Sequence, residues 1–149
     1  MSKAPKKVAQ PGGTADETEA SFYEALQTGD LERLMACWAD EDDVICIHPG
    51  SPRLVGLGAI RAAFDAVLSR GGVRIEAQAL RKIESMTSAV HSVRERIDIL
   101  TSEGSVDAYA IATNVYFKTA QGWRMVAHHV SAGGASESED ISDAPHVLH

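Results

Sequence analysis

The sequence predicts an α+β domain, with helices near the N-terminus packed on the concave face of a cone-shaped, curved antiparallel sheet. Three observations carry this reading. Apolar residues recur at helical spacing up to about residue 70. Gly71 and Gly72 then break the chain, and beyond them the period changes from 3.6 to two. Between the helical stretches lies one short apolar run, "VICIH" at 44–48, bounded by Pro49 and Gly50. The order is α-α-β-α-β-β-β-β, and runs of helices followed by runs of strands pack as separate layers around one core.

The elements follow in order. Residues 16–28 place Ala20, Phe22, Tyr23 and Leu26 near helical spacing, with Asp16 as the expected N-cap and Gly29 as the stop. Asp30 caps a second helix, "LERLMACWA", whose Leu31, Leu34, Met35 and Trp38 share a face. The strand "VICIH" leads through the turn "PGSPR" into a short extended "LVG". A third helix, "LGAIRAAFDAVLSR", carries the stripe Ile60, Phe64, Val67 and Leu68. Residues 73–84, 88–100, 106–118 and 122–131 read as long strands joined by the turn-rich pieces "SMTS", "TSEGS" and "TAQG", an antiparallel meander.

Composition bounds the function. The chain has 149 residues, enough for one domain with its own core. Its formal charge of −7 argues against nucleic acid and anionic membranes, which reward basic patches. No apolar run is long enough for a membrane span, and the lysines near the N-terminus precede no apolar h-region. Cys37 and Cys46 make neither a disulfide framework nor a CxxC motif, so a reducing cytoplasm is expected. Residues 1–14 and 132–149 are rich in small and polar residues and are expected to be flexible tails around a folded domain at 15–131.

The segments "GDLERLMACWADEDDVICIHPG" and "LVGLGAIRAAF", in this order of elements, resemble the nuclear transport factor two-like superfamily, with its SnoaL-like and ketosteroid-isomerase-like branches. The stretch "NVYFKTAQGWRMVAHHVSAG" is similar to the association domain of calcium/calmodulin-dependent protein kinase II. The resemblance covers about residues 17–132 and implies a cavity at the mouth of the cone. The chain carries neither a glycine-rich phosphate loop nor a His-Arg-Asp loop, so no kinase activity is expected.

Aligned on the ketosteroid-isomerase pattern, the catalytic base falls on His48, the tyrosine of the first helix falls on Phe22 beside Tyr23, and the second acid falls near Thr113 or Asn114. At least two of the three groups are changed, so steroid isomerisation by that mechanism is not expected. Histidine still serves as a base near neutral pH, which leaves a proton-transfer reaction of isomerase, hydrolase or lyase type. In "VHSVRERIDIL", Ser92, Arg94, Arg96 and Asp98 share one strand face, and Val93, Ile97 and Ile99 the other. The association-domain resemblance places Arg94 in the cavity, where a guanidinium would hold a carboxylate, with Asn114 as a neutral partner. By the same alternation, Tyr116 and His128 face the cavity, while Trp38 and Phe64 are expected as its apolar wall.

His128 and His129 point to opposite faces of a strand, so the pair does not read as a metal site; no cofactor or metal is expected. Cys46 and His48 share a face, but nothing supplies the orienting third group of a nucleophile pair. Val93, Ile97, Trp123 and Met125 are expected on an outer apolar sheet face that pairs in a homodimer. Three functions of different class result, of which a metal-dependent enzyme is disfavoured by the spacing of the histidines. Of the remaining two, one is a small-molecule-binding cone for a small organic acid, acting through His48 with Arg94 and Asn114. The other is an association-domain-like oligomerisation module whose cavity is vestigial.

Overall fold

The computed structural model describes residues 10–133 and 139–143. Helices α1 (Ala15–Thr28), α2 (Leu31–Met35) and α3 (Leu57–Leu68) are interleaved with the short strands β1 (Ile45–Ile47) and β2 (Leu54–Val55). The long strands β3 (Ile75–Glu84), β4 (Ser88–Thr101), β5 (Gly104–Thr119) and β6 (Gly122–Gly133) follow. They form one open, curved six-stranded sheet in the order β2-β1-β6-β5-β4-β3. The meander β3 to β6 is antiparallel as the sequence predicts, but β1 joins β6 in parallel, pairing Cys46 with His128. This parallel pairing brings the end of "VICIH" beside the middle of β6.

Local chemistry explains where the helices begin and end. Thr14, not Asp16, caps α1: its side chain accepts from the Glu17 N–H, and Asp16 sits in the first turn instead. Gly29 closes the helix at φ 73°, the left-handed region that glycine enters freely. Asp30 caps α2 by accepting from the Arg33 N–H. That helix is shorter than its apolar spacing implies. After Met35 the chain leaves it, and the backbone of 37–39 pairs with Met125 of β6 on both sides. Sheet pairing thus competes with the last helical turn and wins.

The core lies between the helices and the concave face. Phe22, Leu26, Leu34, Ile60 and Phe64 from the helices meet Val93 and Met125 from the sheet. β4 alternates half-buried and buried residues along its first eight positions, with Ala89, His91, Val93 and Glu95 inward. This reverses the expected faces: Val93 and Ile97 pack under the helices, while Ser92, Arg94 and Arg96 lie on the convex side. On β6, a register shift near Val115 sets Met125 opposite Tyr116 and Ala127 opposite Val115, so Met125 also turns inward and is fully buried. Trp123 is half-buried against the same core. The outer apolar face expected from Val93, Ile97, Trp123 and Met125 is therefore the inner one.

The N-terminal segment that the structure describes is attached. The Gly12 carbonyl accepts from the Trp123 N–H at 2.8 Å, and its N–H donates to Thr18 Oγ1 at 3.2 Å. A Cβ on Gly122 would stand 2.6 Å from the Gly12 oxygen, so glycine is required for this approach. Residues 1–9, 134–138 and 144–149, parts of the expected tails, lie outside the described residues. Loss of an N-cap costs about 1 kcal/mol, or roughly 2–4 °C in Tm for a domain of this size. Thr14→Ala should show that drop in a thermal melt. Deletion of residues 1–14 should exceed it, because the Gly12 bonds go as well.

Candidate functional site

Helix α1 presents Glu19 and Tyr23, one turn apart, on the same side as Phe22 and Leu26. Both are buried, and both meet polar groups on the concave face of the sheet. Oε2 of Glu19 accepts from the Tyr116 hydroxyl at 2.6 Å, from His91 Nδ1 at 2.9 Å and from Asn114 Nδ2 at 3.3 Å. Tyr23 donates its hydroxyl to Glu95 Oε2 at 2.7 Å and accepts from Asn114 Nδ2 at 3.1 Å. Asn114 Oδ1 in turn accepts from His128 Nδ1 at 2.6 Å. Seven side chains from one helix and three strands thus form one connected, buried polar network.

The network ends at a cavity of about 410 Å³. His48, just past β1, stands over it with its ring 5.4 Å from those of both Phe64 and His128. Leu26, Phe64, Val67, Ile97, Ala110 and Val130 are among its apolar walls. Glu95 and His128 bring the polar network to its surface. Glu95 is the single charged residue among the described residues that line it.

Burial sets the protonation states. Desolvation lowers His48 from its ordinary value. His128, 2% exposed, is pushed down to about 3 by burial, with repulsion from protonated His48 and His129 adding to it. At neutral pH both imidazoles are uncharged. Burial raises the Glu95 carboxyl; the Tyr23 hydrogen bond opposes that rise and the Glu19 charge adds to it. The Tyr23 and Tyr116 hydroxyls are raised well above their ordinary value, mainly by burial, and stay protonated donors. Cys46 Sγ lies 3.9 Å from His48 Nε2, but burial pushes its thiol up to about 12, so it offers no thiolate.

The structure brings together three of the residues singled out in the sequence. His48, Phe64 and His128 line the cavity. Asn114 stands behind His128 rather than at the surface, and Tyr116 is buried with its ring 4.9 Å from that of His91. Trp38 is core, bridged to Met125 through the backbone, and does not line the cavity. Arg94 corrects the expectation most. It lies on the convex face with its guanidinium 4.3 Å from the centre of the Tyr109 ring, and Glu95, one residue on, takes the inward position. A shift of one residue along a strand changes the face, and here it replaces a cation with an acid. His129 points outward, away from His128. Among the described residues no group of three or more His, Cys, Asp or Glu is placed to hold a metal ion.

Sequence reasoning missed Glu19, Tyr23, His91 and Glu95. A signal existed for the first: Glu19 falls within the apolar stripe of its helix, where an acid is buried only with partners.

The comparisons with known proteins come from three directions. The model of the SnoaL-like domain matches residues 16–134. No curated protein sequence matches the chain. Among solved structures, a candidate calcium/calmodulin-dependent protein kinase type II association domain from Thiobacillus denitrificans is 33% identical, with TM-score 0.74. That match covers 83% of this chain and 98% of that one. A candidate dehydratase of the nuclear transport factor two-like family from Streptomyces avermitilis is 25% identical, with TM-score 0.69, covering 78% of this chain and 91% of that one. The hub of the same kinase from S. rosetta shares the fold at TM-score 0.69 and 17% identity, covering 87% and 100%.

His128 and His48 make stability depend on pH with a definite sign. The folded value of His128 is about 3 against an ordinary 6.5, so between these values the unfolded chain holds a proton that the folded chain does not. Stability is lost as pH falls through that window. His48 acts in the same sense, and Glu95, raised by folding, in the opposite sense. Thermal melts from pH 7 to 4.5 should fall more steeply for the wild type than for His128→Leu, which keeps the other titrating groups. Equal slopes would show that His128 is accessible to protons in the folded state.

Proposed function

This chain belongs to the SnoaL-like family, and from that premise we propose that its cavity binds a small molecule with an apolar body and moves a proton on it, with His48 as the base. The observation that carries this is the pairing of an apolar cavity with an uncharged imidazole at its wall. A neutral imidazole accepts a proton without first losing one. The likeness to a candidate dehydratase supports chemistry of this type in such a cavity.

The ligand is not the small organic acid that a cavity-facing Arg94 would hold. With Arg94 on the convex face and Glu95 at the cavity, a carboxylate would meet a like charge and no cation.

A panel of six- to ten-carbon alcohols, ketones and hydroxyketones, incubated with the protein in deuterium oxide and followed by proton NMR, tests the proposal. Loss of a C–H signal reports proton abstraction. His48→Ala should slow exchange about 10²- to 10⁴-fold. Ala110→Trp, which fills the cavity, should abolish it. If no compound exchanges faster with protein than without, the proton-transfer reading fails. If none shifts the melting temperature either, the binding reading fails with it.

A second reading rests on the convex face. Val90, Ile111, Val115 and Phe117 lie there on neighbouring strands, Phe117 is 48% exposed, and Ile83 on β3 is 76% exposed. We propose that this face pairs two copies of the chain, as the likeness to an association domain supports. Sedimentation at micromolar concentration should give a dimer, and Ile111→Lys a monomer with an unchanged core. A compact wild-type monomer would refute it, and a larger ring would favour the oligomerisation module.

A further inference from the structure

The proposed binding cavity ends on atoms whose hydrogen-bonding sense is set from the far side of the network. Glu19 Oε2 is an acceptor, and the Asn114 group that reaches it at 3.3 Å must be the amide nitrogen. The same nitrogen reaches the Tyr23 oxygen, whose own hydrogen is committed to Glu95. Turned over, Asn114 would set its oxygen against a carboxylate and a spent hydroxyl, so only one orientation satisfies all partners. That orientation faces Asn114 Oδ1 to His128 Nδ1 at 2.6 Å, and an amide oxygen only accepts. The hydrogen of His128 therefore sits on Nδ1.

An uncharged imidazole carries one ring hydrogen, so Nε2 of His128 holds a lone pair. His128 is 2% exposed and lines the cavity, and its Nε2 has no hydrogen-bond partner among the described residues. Glu95, the other end of the network at the cavity, takes the Tyr23 hydroxyl on Oε2, and its Oε1 has no partner among the described residues. Two acceptors without donors thus face an apolar space.

We propose that Glu19, acting through Asn114, fixes the ring hydrogen of His128 on Nδ1, so that the cavity offers acceptors and selects a ligand carrying a hydrogen-bond donor on an apolar body, an uncharged hydroxyl compound. Glu19 and Asn114 are positioning residues here: neither touches the ligand. This rests on the binding reading above and sharpens it. A ligand without a donor would leave buried acceptors unpaired, and a carboxylate would add a further acceptor beside them.

Three probes share one apolar body. They are 2-naphthol, which donates; 2-methoxynaphthalene, which does not; and 2-naphthoate, an anion. In calorimetric titrations of the full chain at pH 7, 2-naphthol should bind at least about tenfold more tightly than the ether, with the naphthoate weakest. His128→Phe should shrink the preference over the ether, Glu95 remaining as an acceptor, while leaving the apolar body bound. Nitrogen-15 NMR of the histidine rings reads the hydrogen directly: His128 should show a protonated Nδ1 and a bare Nε2. In Glu19→Gln, whose amide can present either an oxygen or an NH₂ to Asn114, these two signals should move toward each other and the preference should shrink. If that variant does not fold, the wild-type spectrum and the three affinities decide alone. Equal binding of naphthol and ether, tightest binding of the naphthoate, or a ring hydrogen on Nε2 would overturn the inference while the binding reading stands. If none of the three binds, both fall.

Discussion

Glu19 is the constraint on which the site depends. A buried acid is tolerated only where donors meet it, and three do, from His91 on β4 and Asn114 and Tyr116 on β5. Those bonds hold α1 to the sheet with a directionality that apolar packing lacks. Breaking one of them would leave a buried polar atom without a partner, at a cost of about 1–3 kcal/mol. The helix can therefore neither slide nor rotate on the sheet without unpairing several groups at once. Tyr23, one turn on, makes the second attachment, to Glu95.

The network also separates two environments on one concave surface. Toward the N-terminal end of α1, Glu19 gathers His91, Asn114 and Tyr116 around one carboxylate oxygen. Toward its C-terminal end the network stops, and Glu95 and His128 open onto apolar walls from Leu26, Phe64 and Val130. His48 arrives from a different part of the chain, because β1 lies parallel to β6 and ends beside it. The cavity is thus assembled from two helices, α1 and α3, the end of one short strand and the long strands of the meander. The sheet is open, so one face serves this cavity while the other carries Arg94 on Tyr109 and a row of half-exposed apolar side chains. The chain belongs to the SnoaL-like family, and the solved structures it resembles include a candidate dehydratase and a candidate association domain.

The alternation of β4 shows what was legible and what was not. Two sets of residues on that strand were plain from the period of two, Ser92 with Arg94 and Arg96, and His91 with Val93, Glu95 and Ile97. Which set faces the helices was not. Polarity normally marks the solvent side, and both sets contain charged residues. The inward set is the one whose charges find partners on α1, a fact carried by residues some seventy positions away. Met125 misleads for a different reason. A register shift on β6 reverses the alternation between Ala127 and Met125, and counting from Val130 cannot reveal it.

By itself the sequence determined the element order, the change of period at Gly71 and Gly72, the helix stops at Gly29 and the arrival of His48 at the end of a short buried strand. These depend on local spacing, on caps and on the backbone freedom of glycine, which are properties of neighbouring residues. Only the tertiary structure decided that Glu95 and not Arg94 meets the cavity, that Trp38 and Tyr116 are core, and that Asn114 acts from behind His128. Those outcomes turn on which distant donor meets which distant acceptor, and a buried hydrogen bond leaves no periodic trace in the chain that forms it.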